Sequence, residues 1–269
     1  MSGLVVAVVL FAALLHASWN AIVKAGKDIF LTTVLVSASA AGISLLALPW
    51  LAASSVAQLA YSSLLSAAYR AGDMSHAYPL MRGSAPLMVA LASWPLLGER
   101  LSALQVAAIA SICAGILGLY LATRVAGNNT ARATTFALLN ACVIASYTLI
   151  DGIGVRLSGA PAAYTMWIFV LNGAGLLCWT LTHRRHALAS YARTQWRVAL
   201  LGGFGTLASY GLALWAMTHA PVAAVAALRE TSIVFASLIA LLVLREKINT
   251  RRCLSIALIA AGAVLMRSA

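Results

Sequence analysis

Charge is what this 269-residue sequence has least of: 9% of its residues are charged, and Asp and Glu together number six. Soluble domains are about a quarter charged and roughly half apolar, whereas 62% of this chain is hydrophobic. So little polar surface cannot wrap a water-soluble globule, and the apolar excess must face lipid. Cysteine is scarce as well. Cys113, Cys142, Cys178 and Cys253 stand alone in or beside apolar runs, which excludes a paired redox motif or a Cys-rich metal site. The five histidines are scattered, and the one close pair, His183 and His186, lies in a basic run that reads as a solvated loop. An integral-membrane lipid enzyme would want clustered His or carboxylates at one interface, so no catalytic constellation, metal site or cofactor is expected. No Gly-x-x-x-x-Gly-Lys-Ser/Thr run occurs, which removes the phosphate cradle of an ATP-driven pump. No soluble domain of a scaffold or sensor is apparent either. The net charge of +12 does not point to nucleic acid, because the 18 Lys and Arg fall singly or in small groups between apolar runs without the basic, aromatic-laced stripe that nucleic-acid binders use.

What is present is length of apolar chain. A bilayer core of about 30 Å takes about 20 apolar residues per helix. Such stretches fall near 4–23, 30–48, 51–69, 75–97, 103–123, 134–151, 161–181, 197–217, 221–244 and 252–267. Leu4–Leu15 has the length of a signal-peptide core, but the apolar run continues through Val23, so it reads as an uncleaved first span. The breaks carry charge or turn signals, among them Arg70–Asp73, Gly98–Ser102, Gly152–Gly159 and the basic stretch His183–Trp196. Only Leu48-Pro49-Trp50 divides the second span from the third; Pro49 either ends a helix or kinks a single one.

The sequence also repeats itself. Leu80-Met81-Arg82 followed by Gly98-Glu99-Arg100-Leu101 has a counterpart in Ala227-Leu228-Arg229 followed by Arg245-Glu246-Lys247-Ile248. The pairs Arg82 and Arg229, Glu99 and Glu246, and Gly115 and Gly262 all share one offset of 147 residues. A five-span unit used twice, over 1–123 and 133–269, accounts for the whole chain. Because five is odd, the second unit enters the membrane from the opposite side. The expected fold class is therefore an all-α membrane protein of ten transmembrane helices in two inverted five-helix repeats, an architecture that places a substrate site between the halves near mid-membrane.

Particular residues then become familiar. Leu15-His16-Ala17-Ser18-Trp19-Asn20-Ala21 and the stretch Ala68 to Pro86, containing Tyr69-Arg70-Ala71-Gly72-Asp73 and Tyr78-Pro79-Leu80-Met81-Arg82-Gly83, resemble EamA-type proteins of the drug/metabolite transporter superfamily. Tyr147-Thr148-Leu149-Ile150-Asp151-Gly152 and the twin Gly-Glu and Arg-Glu turns fit the same family, and the likeness runs over essentially the full length. The His-Ala-Ser-Trp-Asn opening is similar to that of membrane proteins associated with phosphonate utilisation. The resemblance implies ten helices in two inverted halves, alternating access, and a metabolite, amino acid or drug as cargo in either direction. The near-absent loop between the second and third spans departs from the family pattern.

Charges inside apolar spans are expensive and point to interiors or water-filled cavities. Arg82 lies about two turns into the fourth span, on one helical face with Ser75, Tyr78, Pro79 and Pro86, and Arg229 occupies the matching place in the ninth. Their planar donors suit a carboxylate, phosphate or phosphonate. Alternatively, Arg229 pairs with Glu230 or Asp151, and Arg82 snorkels or meets Asp73. His16, Trp19 and Asn20 share a face of the first span, and Tyr147 and Asp151 occupy the related region of the sixth. The substrate-binding candidates are thus Arg82, Arg229, Tyr78, His16, Trp19, Asn20 and Tyr147, with Asp151 and Glu230 as candidates for coupling to protons or another ion. Asp151, near the end of its predicted span, also reads as a helix-end or ion-pair residue.

The expected partners are a small-molecule substrate and a lipid bilayer, the plasma or inner membrane of a bacterium. A lipophilic-cation exporter is the second transport reading, weakened because no Glu lies between Leu4 and Val23, where small multidrug pumps carry one; an amino-acid exporter is a third. Ala107, Ser111 and Gly115 form a small-residue line suited to close helix packing, within a monomer or across a homodimer. Thirteen Lys and Arg fall on the face of the odd-numbered loops against three on the other. The positive-inside rule then puts both termini outside, whereas the family resemblance implies termini inside.

Overall fold

The computed structural model describes residues 2–26, 28–44, 58, 60–61, 64–65, 74–123, 130–242 and 250–269. Regular structure among them is helical throughout: α1 (Gly3–Ala25), α2 (Ile29–Ser44), α3 (Met74–Leu97), α4 (Ala103–Thr123), α5 (Thr130–Ser158), α6 (Pro161–Met217), α7 (Val222–Arg229), α8 (Ser232–Leu242) and α9 (Thr250–Arg267). Among the described residues, five of these are long and apolar enough to cross a membrane. Pro49, Arg70–Asp73 and the Arg245–Glu246–Lys247 turn lie outside the described residues.

Local chemistry sets several boundaries. Ser2 Oγ accepts from Val5 N at 3.4 Å at the start of α1. Gly98, at φ +67°, turns the chain out of α3 in a conformation that costs a side-chain-bearing residue far more. Ser102 and Gln105 then cap α4 reciprocally: Gln105 N donates to Ser102 Oγ (3.1 Å) and Ser102 N to Gln105 Oε1 (2.9 Å).

The structure differs from the predicted boundaries at two breaks and within one span. α5 does not stop at Gly152 but runs to Ser158, because Gly152 and Gly154 are contact points, not chain breakers: they leave room for Val222 and for the Tyr164 ring. The stretch His183–Trp196 is helix, not loop. A straight helix of 57 residues would be about 85 Å long; Arg184 alone leaves helical geometry (φ −140°, ψ 33°) and kinks α6 into two arms. Ala187, Leu188, Ala189, Ala192, Arg193 and Gln195 are mostly good helix formers, and buried Leu188 anchors the second arm against Leu31 and Val34 of α2. Finally, the span expected over 221–244 is divided between α7 and α8. Glu230 N donates to Ala227 O (3.0 Å), Thr231 N to Leu228 O (3.1 Å) and Ile233 N to Glu230 O (3.1 Å), so the ladder tightens to i→i+3 bonds across the division.

The packing of α4 on α9 is reciprocal. A Cβ on Gly115 would lie 2.7 Å from the Ser255 carbonyl oxygen, and one on Gly262 would lie 2.9 Å from that of Ala108. Ser111 Oγ donates to Leu258 O at 3.0 Å. Each of 108, 111, 112 and 115 meets a residue whose own counterpart, 147 positions away, makes the mirrored contact. The helices cross antiparallel about a local two-fold near Ser111 and Leu258. Ser111 and Gly115 of the small-residue line thus pack within the chain, whereas Ala107 is exposed.

Candidate functional site

The main apolar core, to which every helix from α1 to α9 contributes, surrounds a polar cluster at its centre. From α3, Arg82 reaches in two directions with 3% of its surface exposed. Its Nη2 lies 2.9 Å from His16 Nε2 on α1. A guanidinium can only donate, so Nε2 accepts and the imidazole is the neutral form with its proton on Nδ1. Arg82 Nε lies 2.8 Å from Glu230 Oε2 at the α7–α8 division. Both side chains are almost fully shielded, with 4% and 6% exposed, so the contact is a buried ion pair.

A second group adjoins the first. Asp151 of α5, fully buried, accepts from Tyr164 Oη (3.1 Å) and Tyr210 Oη (2.5 Å), both carried by α6. The guanidinium of Arg229 lies over the Tyr210 ring, 4.9 Å from its centroid, so Tyr210 stands between the second arginine and the second carboxylate. Tyr147, one turn before Asp151, meets the Tyr61 ring edge-on at 5.8 Å. Asn140 Nδ2, fully buried on α5, donates to Met81 Sδ of α3 (3.1 Å).

The sequence candidates are therefore distributed as follows. His16, Arg82 and Glu230 form one contact chain; Arg229 and Asp151 join through Tyr210. Trp19 packs edge-on against His16 at 5.3 Å, and its buried Nε1 has no hydrogen-bond partner among the described residues. Asn20 turns away: its Nδ2 donates to the His16 carbonyl of its own helix (2.8 Å). Tyr78 is helical, and its side chain lies outside the described part, as does Asp73. Asp151 is not at a helix end; α5 continues for seven residues beyond it. Tyr164 and Tyr210 were missed. Tyr210 carried a signal, since Tyr210-Gly211-Leu212-Ala213 resembles Tyr61-Ser62-Ser63-Leu64 at an offset of 149 residues, but Tyr164 carried none.

At one end of the bundle, Glu99, in the turn after Gly98, accepts on Oε1 from Arg156 Nη2 (2.7 Å) and from Val222 N (2.9 Å). Arg156 also donates to Met217 O (2.8 Å) and Ala220 O (3.0 Å). Beside this contact a cavity of about 360 Å³ is lined by Val155, Arg156, Gly159, Pro161, Trp215, Thr218 and His219.

The sequence matches the EamA-like transporter family over residues 131–268, more than half of the chain. The chain belongs to the EamA-like transporter family. It is accordingly an integral membrane protein of the drug/metabolite transporter superfamily, whose EamA members are transporters and not enzymes. Twenty-seven solved chains match. One, titled only "Crystal structure of protein", superposes with a TM-score of 0.78 over 99% of each chain at 18% identity, a likeness of fold alone. No curated protein matches.

Proposed function

We propose that this EamA-family protein is a secondary transporter of a small metabolite bearing an anionic group, working by alternating access between two inverted five-helix halves, 1–123 and 133–269, in a bacterial inner membrane. The observation that carries the reading is the buried, nearly neutral charge set where a broken helix meets α1, α3, α5 and α6. Broken spans lining a mid-membrane site are a recurrent device of secondary transporters. The reciprocal α4–α9 contact supports the two halves, and the 13-to-3 charge count favours a cytoplasmic face carrying Lys24, Asp28 and Arg184.

The charges explain why cargo and coupling belong together. Arg82 and Arg229 are offset by Glu230 and Asp151, with His16 neutral. An anion entering this site adds one uncompensated negative charge where desolvation makes that costly. A proton taken up with it, on Glu230 or Asp151, restores balance. Substrate then competes with Glu230 for Arg82, while Tyr210 relays between Arg229 and Asp151. A second reading, a zwitterionic amino-acid-like solute, is favoured by the same two carboxylates, which are ready acceptors for an ammonium group.

Purified protein in liposomes is expected to take up or release a labelled organic anion, a phosphonate among those screened, and Arg82→Lys is expected to lower the rate at least about tenfold, as loss of planar two-point recognition would. Transport at the parental rate in that variant would remove Arg82 from the site. Asp151→Asn is expected to retain binding in a thermal-shift screen but to lose dependence on an imposed pH gradient; a gradient response that survives would remove Asp151 from coupling.

A further inference from the structure

The turn carrying Glu99 takes no part in the central cluster, yet its carboxylate is nearly buried, with 8% of the side chain exposed. We infer that Glu99 and Arg156 form the latch that closes one entrance to the central site, and that releasing it opens the Asp151 end of that site to water. The inference rests on the transport reading for its meaning, though not for its test.

Two sets of observations carry it. The first is what the latch joins. Glu99 follows α3, Arg156 ends α5, Met217 ends α6, and Val222 starts α7. A single guanidinium–carboxylate pair thus ties four chain segments, holding the α6 C-terminus and the α7 N-terminus together through Met217 O, Ala220 O and Val222 N. Separating Glu99 from Arg156 unties the turn after α3 from the end of α5 and leaves it the Val222 N bond to the α6–α7 corner.

The second is what lies on either side. The cavity beside Arg156 is built from α5 and α6, the elements that carry Asp151, Tyr164 and Tyr210. Arg156 is five residues from Asp151, Pro161 three from Tyr164 and Trp215 five from Tyr210, so about 5–8 Å of helix rise separates cavity from carboxylate. Apolar side chains of the same helical levels are buried to within 1%, namely Val155, Leu214, Met217 and Val222, and Val222 packs on Gly152. A cavity within two helical turns of a buried carboxylate, with an ion pair at its edge, is the geometry of a closed entrance.

The test reads access, not transport. In the full-length protein with its four cysteines replaced by alanine, Thr148→Cys places a thiol one turn from Asp151, at a position now 3% exposed. With the latch intact, a membrane-impermeant maleimide should label it slowly. Glu99→Gln and Arg156→Gln should each raise the labelling rate about tenfold, the change that loss of one charge-assisted contact of about 1.4 kcal/mol gives. Arg156→Lys keeps the cation but loses the fork to the two carbonyls, and should give a smaller rise; it stands in if a Gln variant is not monodisperse. Unchanged labelling in monodisperse variants overturns the latch. Faster labelling in a protein that moves no screened solute sustains the latch while counting against the transport reading.

Discussion

The two ends of the molecule are each tied by an ion pair, and the ties are of different kinds. At one end Glu99 and Arg156 meet at 2.7 Å with 8% and 33% of their side chains exposed. At the other, Asp28 and Arg184 meet at 3.4 Å with 33% and 45% exposed. The first pair also holds three backbone groups at the α6–α7 corner. Asp28 instead caps its own helix through Leu31 N (3.0 Å), and the neighbouring Tyr191–Thr32 contact (2.6 Å) links α6 to α2 without charge. The same residue chemistry therefore does different work. Dehydration and shared backbone partners strengthen the Glu99 contact, while solvent screening leaves Asp28–Arg184 a weak surface pair.

Substitutions can break that comparison, and the largest expected effect is at Arg156. Arg156→Ala strands a nearly buried carboxylate and leaves two carbonyls short of a donor, and should cost about 3 kcal/mol. Thermal unfolding in detergent would show this as a clear drop in midpoint; a drop no larger than that of Arg184→Ala would erase the distinction between the ends. Next come Gly115→Ala and Gly262→Ala, each forcing a methyl against a carbonyl and expected to cost about 1–3 kcal/mol. Their sizes should match, since each glycine faces the other's helix; a large inequality would argue against the local two-fold. Smallest is Arg184→Ala, under about 1 kcal/mol and shrinking further as salt is added. A loss that persists at 1 M salt would mean the pair is less screened than its exposure implies.

Much of this was legible in the sequence, for reasons that also explain the failures. Scarce charge and long apolar runs gave the membrane class, and an arginine in an apolar span had to find a partner. Glu230 was foreseen as a partner for Arg229, but the structure gives it to Arg82. Which helices meet is decided by packing across the bundle, and a single chain reveals that only through its repeats. The division at Glu230–Thr231 was hidden because no Gly or Pro marks it; the i→i+3 tightening there is a tertiary effect. The opposite error arose at Gly152 and over 185–196. Glycine and charge read as punctuation, although one was making room for Val222 and the other decorated a run of helix-forming residues.

The division between α7 and α8 has one more consequence, which lies in the order of its two charges. Peptide dipoles leave partial negative charge at a helix C-terminus and partial positive charge at an N-terminus. Arg229 is the last residue of α7, and Glu230 lies two positions before the first residue of α8. Each ion therefore sits against the helix end that favours it. Written as Glu-Arg, the same two residues would oppose both macrodipoles, so the order Arg-Glu itself stabilises the broken span.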